Sequence, residues 1–102
     1  MDQAIDMSRT TALKLRPILD LLAATPLKEQ FLAARGRPVS IDASDVDRVG
    51  ALCLQVLLSA KSTWGADGVS FSFGETSAAF EAGLGTLGAS SLLASNHPGA
   101  SS

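Results

Sequence analysis

The stretch Val39-Ser40-Ile41-Asp42-Ala43-Ser44-Asp45-Val46-Asp47-Arg48-Val49-Gly50-Ala51-Leu52-Cys53-Leu54-Gln55-Val56-Leu57-Leu58 decides the fold. Its first part alternates, with Val39 and Ile41 on one side and Ser40 and Asp42 on the other. That period of two predicts a strand over residues 38–43 with Val39 and Ile41 inward. Residues 44–50 read as a polar loop. From Gly50 to Trp64 the pattern is the strongest helix in the chain. On a helical wheel Leu52, Cys53, Val56, Leu57, Ala60 and Trp64 form one broad apolar arc, while Gln55, Ser59 and Ser62 make a narrow polar strip. Leu54 and Leu58 fall on the far side of that arc, near Lys61. A helix apolar over so much of its circumference is deeply buried or offers apolar surface to a partner.

The flanking sequence repeats the strand–helix alternation. On the N-terminal side, Thr11-Ala12-Leu13-Lys14-Leu15-Arg16 alternates with Leu13 and Leu15 on one face, and Pro17 ends it. Ile18 to Leu22 reads as a second, short extended piece. Thr25-Pro26 predicts a helix start, because Thr caps free N–H groups and Pro is tolerated at the first helical position. Leu27, Phe31 and Ala34 then recur at helical spacing, and Gly36 is placed to end the helix. On the C-terminal side Gly65 to Gly68 is a turn, and Val69, Phe71 and Phe73 share one face of a strand. Gly74-Glu75-Thr76 is a turn, with Thr76 or Ser77 as cap of a last helix whose stripe is Phe80, Leu84 and Leu87. Strands and helices that alternate in this way predict an α/β fold with a partly parallel sheet. The expected organisation is a flexible arm over residues 1–10, one domain over 11–93 and a Ser-, Gly- and Ala-rich disordered tail over 94–102.

Composition narrows the function. The chain has 102 residues, 46% hydrophobic and 18% charged, which suits one globular domain. Eight Lys and Arg against ten Asp and Glu give a net charge of −2, without the basic stripe of a nucleic-acid binder. One Cys precludes an internal disulfide or a multi-cysteine zinc site. No apolar run reaches the roughly 18–20 residues of a membrane span. The acidic first residues do not resemble a secretory signal. A cytoplasmic setting without membrane insertion is the expectation.

Candidate chemistry is sparse. Gly83-Leu84-Gly85-Thr86-Leu87-Gly88 matches G-x-G-x-x-G, but it falls inside a predicted helix rather than at a strand-to-helix turn. Close packing by small residues explains it better than a phosphate or dinucleotide. Asp42, Asp45 and Asp47 read as a solvated, loop-capping rim rather than a metal site. Cys53 and Trp64 read as core residues, and His97, the single His, falls in the tail. No nucleophile is paired with a base and an orienting group, so the chain is expected to be neither an enzyme nor a cofactor binder.

Two local patterns resemble the STAS domain, the fold of sulfate-transporter cytoplasmic domains and bacterial anti-anti-sigma factors. Leu19-Asp20, Ala24 and Leu27 look like that family's join between an early strand and the first helix. The stretch from Val39 to Leu58 is similar, without a gap, to its strand, loop and Asp-Ser-Ser-Gly-Leu helix entry. The resemblance covers residues 11–93. It implies a mixed sheet of about four strands with three main helices on one side.

It also implies a docking module whose partner meets the loop and the exposed side of the second helix. The residues so implied are Asp47, Arg48, Gly50, Ala51, Leu54, Gln55 and Leu58. At the family's phosphorylated serine this chain departs from the pattern: Gly50, Ala51, Leu52 and Cys53 occupy the entry, and Ala51 and Leu52 leave no hydroxyl there. Ser44 and Ser59 are nearby hydroxyls without a supporting motif. Association that a phosphate charge does not toggle is the consequence. The implied partner is a histidine-kinase-fold signalling protein, as with the small stand-alone STAS proteins that accompany chemotaxis kinases. A second reading is a STAS subunit docked on the ATPase of a lipid-transport complex. An exposed leucine helix also admits a homodimer.

Overall fold

In the computed structural model, which describes residues 10–93, Thr11–Lys14 forms strand β1 and Ile18–Leu19 the two-residue strand β2. Helix α1 spans Leu21–Ala34, β3 Val39–Ala43 and β4 Arg48–Val49. Helix α2 spans Ala51–Asp67, β5 Phe71–Thr76 and α3 Ala78–Thr86, and a 3-10 turn covers Ser90–Leu93. The expected C-terminal tail with His97, and all but the last residue of the expected N-terminal arm, lie outside the described residues.

β1, β3 and β5 form a parallel sheet in that order, with Leu13 level with Ile41 and Ile41 level with Phe73. The α/β class and the three helices agree with the sequence reading. The sheet differs from it in detail. Every strand pairing among the described residues is parallel, and β2 leaves the main sheet to pair with β4. Parallel crossovers are right-handed as a rule, and those from β1 to β3 and from β3 to β5 run across the sheet in the same direction, which puts α1 and α2 on one face. The rings bear this out: Phe31 of α1 and Trp64 of α2 both pack on Phe71 of β5, with centroids 6.0 Å away in each case. Phe80 of α3 packs 5.7 Å from Phe73, two residues further along the same strand face. The Trp64 indole N–H also donates to the Arg37 carbonyl at 2.7 Å, so this large ring is buried with its polar atom satisfied.

Three boundaries depart from expectation. The first helix starts at Leu21, four residues before Thr25, because the Asp20 carboxylate accepts from the amides of Leu22 and Ala23 at 3.1 and 3.2 Å. Pro26 therefore sits inside α1, where it cannot donate to the Leu22 carbonyl. The exposed setting of Leu22 keeps that lost bond within reach of water. β4 interrupts the expected loop, since the amides of Asp47 and Arg48 both donate to the Pro17 carbonyl. β5 continues through the expected turn to Thr76, and Ser77 is the cap. Its hydroxyl oxygen accepts from the Phe80 amide at 3.0 Å and its hydroxyl donates to the Val46 carbonyl at 2.6 Å.

The orientation of α2 is the consequential correction. Cys53, Leu54, Leu57, Ala60 and Trp64 face the core, whereas Leu52 is 47% exposed. At 100° per residue, this arc lies about 60° round the helix from the arc read off the wheel. Leu54, expected on the surface, is only 5% exposed, and Leu58 is half-buried against the core. Six of the seven residues from Leu52 to Leu58 are apolar, so only the narrow strip of Gln55, Ser59 and Ser62 marks the polar side, too little to set the rotation.

Candidate partner-binding surface

The entry to α2 is built by the β2–β4 pair. Leu19 aligns with Val49, and the next amide, Gly50, donates to the Leu19 carbonyl at 2.8 Å. This contact leaves little room for a side chain, because a Cβ on Gly50 would stand 3.0 Å from the Leu19 oxygen, which would have to give by a few tenths of an ångström. Three residues on, the Cys53 thiol donates to the Asp20 carbonyl at 3.3 Å. The first turn of α2 is thus fastened to the junction between β2 and α1.

Fastening those backbones together brings their outward side chains to one end of the molecule. Leu21 is 71% exposed and Leu22 80%, beside exposed Ile18 on β2. Across the junction stand Ala51 and Leu52, both exposed. Large apolar side chains gathered at one place and left in water mark a contact surface more strongly than scattered ones. Ser44, Asp47 and Arg48 lead into the surface, and Gln55 follows one turn along α2. Gly50, the cap of α2, offers no side-chain acceptor to the first turn, which also has no acidic residue.

The residues implied by the sequence resemblance therefore divide. Asp47, Arg48, Ala51 and Gln55 are exposed around the α2 entry, and Gly50 is half-buried within it. Leu54 points into the core and Leu58 packs against it, so neither forms the free apolar surface expected of them. Leu52, read both as part of the core arc and as a lost phosphorylation position, is exposed instead. Ile18, Leu21 and Leu22 were missed. Their signal is Asp20 as helix cap, which turns Leu21 and Leu22 away from the stripe of Ala23, Ala24, Leu27, Phe31 and Ala34.

Other candidate chemistry has structural duties. Asp42 accepts from the amide and hydroxyl of Ser44 at 2.9 and 2.6 Å, which closes the turn after β3 and holds its carboxyl below the usual range. Asp45 pairs with Lys14 at 3.1 Å on the surface. Among the described residues no group of three or more His, Cys, Asp or Glu is placed to hold a metal ion. Burial, and secondarily the Asp20 charge, pushes the Cys53 thiol up, away from the reactive thiolate. Gly83 and Gly85 lie within α3 rather than at its start, and a Cβ on Gly83 would meet Val49 at 3.3 Å. That glycine serves the close approach of α3 to β4. No described helix is long and apolar enough to cross a membrane.

No curated protein and no solved structure matches the chain significantly. Residues 4–94 match the family described as "Mlab, STAS domain", and the chain belongs to the STAS domain family, a general protein-interaction module related to anti-sigma-factor antagonists.

Proposed function

We propose that the protein is a non-catalytic cytoplasmic adaptor of bacterial signalling, which docks a histidine-kinase-fold partner, such as a chemotaxis kinase, through the α2 entry. The observation that supports this reading is the apolar surface of Ile18, Leu21, Leu22, Ala51 and Leu52. Ala51 and Leu52 stand where the family's switch has hydroxyl groups, so no phosphate forms at this entry to repel a partner. Docking there is constitutive. Asp47, Arg48 and Gln55 form a polar rim around the apolar centre, the usual anatomy of a contact site.

Affinity purification of the tagged protein from its own cells, with mass spectrometry of the eluate, tests this. The expected result is a histidine-kinase-fold protein, lost when Leu21→Asp and Leu52→Asp are combined, and no phosphate on the bait. Recovery of a transport ATPase in its place would move the assignment to a lipid-transport subunit. A partner retained by the double variant would remove the surface.

A further inference from the structure

The groove between α1 and α2 points to the chemistry of what docks. Cys53 bonds to Asp20 at one end of the helix pair, and Arg35 pairs with Asp67 at 3.1 Å at the other. These ties hold the helices side by side and parallel. Between them runs a groove of about 380 Å³, floored by Phe31, Val56 and Trp64. Lys28, Leu32 and Arg35 form the α1 wall at helical spacing, with Leu32 60% exposed. Gln55, Ser59 and Thr63 form the α2 wall, and among the described residues no carboxylate lines the groove. Asp67, beyond its end, is bonded to Arg35.

We propose that the groove seats an amphipathic helix of the partner, with apolar residues on one stripe and acidic residues beside it. This rests on the reading of the α2 entry as a docking surface, with which the groove is continuous. From Leu21 to Arg35, α1 runs about 21 Å at 1.5 Å per residue, so a segment of about four turns spans entry and groove. The partner's leucines meet exposed Leu21, Leu52 and Leu32, and its carboxylates meet Lys28, one turn before Leu32, while Arg35 stays with Asp67. A small ligand fits less well, because the groove lies open along the helices and would leave much of that ligand in water. In a symmetric second copy groove would face groove, which fills neither.

Two labelled, hydrocarbon-stapled helical peptides of about sixteen residues provide the probes, one with Leu at helical spacing and flanking Glu, the other with each Glu changed to Lys. Binding to the full chain is followed by fluorescence anisotropy at low salt. The acidic peptide is expected to bind at least about tenfold more tightly than its basic twin. Lys28→Glu should remove that preference, and Leu32→Asp should weaken both peptides. Both positions are exposed, and circular dichroism verifies that each variant folds.

Equal binding of the two peptides, no binding, or indifference to both substitutions would overturn the inference. So would a dimer of the chain broken by Leu32→Asp. A cellular partner lost with Leu52→Asp but kept with Lys28→Glu plus Leu32→Asp refutes the groove and leaves the docking surface standing. A partner kept with Leu52→Asp refutes the docking surface itself.

Discussion

Leu54→Ala and Leu52→Ala, two positions apart on α2, are expected to differ sharply in stability. Leu54 is 5% exposed and Leu52 47%. Removing buried methyl and methylene groups forfeits about 0.8 kcal/mol for each, and the cavity adds to that. Leu54→Ala should therefore cost about 2–5 kcal/mol, the usual range for a buried Leu. Leu52→Ala loses little burial and should stay within about 0.5 kcal/mol. At about 4–8 °C per kcal/mol for a domain of this size, Leu54→Ala lowers Tm by at least about 8 °C, while Leu52→Ala moves it by less than about 4 °C. Urea unfolding followed by the fluorescence of Trp64, the single Trp, is a suitable assay, since that ring is buried against Phe31 and Phe71. The midpoint should fall for Leu54→Ala at an unchanged slope. If Leu52→Ala costs as much as Leu54→Ala, the helix is rotated otherwise and the account of the docking surface fails with it.

Three other outcomes follow from the same geometry. Ser77→Ala removes both the cap of α3 and the hydroxyl's bond to Val46, and should cost about 1–3 kcal/mol in chemical denaturation, whereas Ser77→Asp should keep the cap alone. Gly50→Ala places a Cβ against the Leu19 carbonyl and should destabilise by about 1–3 kcal/mol, while Ala51→Ser on the exposed first turn stays within about 0.5 kcal/mol. Asp42 is held below its ordinary pKa of 3.8 chiefly by the Ser44 hydroxyl, then by the Ser44 amide, with burial opposing and Lys14 assisting. A depressed folded pKa gives stability that is present above the unfolded value and lost as pH falls through the folded one. Carbon-detected titration of Ser44→Ala should accordingly show Asp42 moving up toward 3.8, and an unmoved Asp42 would contradict the turn geometry.

Alternation and large rings were the legible part of the fold. Val39 and Ile41 alternate with polar neighbours and pair into the sheet, and Phe71 and Phe73 share the face that receives the helices. Trp64 could be read as a core residue because one polar atom on a large ring is easily satisfied by a carbonyl. The start of α1 was hidden because Thr25-Pro26 makes a strong local helix start, whereas Asp20 becomes a cap through bonds to two amides just beyond it. β4 has two residues and exists through its pairing with β2, a contact between segments about 30 residues apart.

The position of the α2 entry was legible in the sequence, but not which of its residues are exposed. The loop and the entry to α2 stand where the resemblance put them, and Asp47, Arg48, Ala51 and Gln55 are exposed there. Leu54 and Leu58 were chosen from a wheel with apolar residues on nearly every side, and tertiary packing set the rotation that excludes them. Leu21 and Leu22 became visible only with the earlier start of α1, which places them ahead of the core stripe.

The central claim is that a partner docks on the apolar surface at the α2 entry without a phosphate switch. A photo-crosslinking residue placed at Leu52, with a control at Ser72 on the sheet strand β5, tests it most directly in living cells. Position 52 is expected to crosslink a histidine-kinase-fold protein, with no phosphate on the crosslinked bait, and position 72 is expected to give no crosslink. A partner crosslinked from position 72 and not from 52 would contradict it.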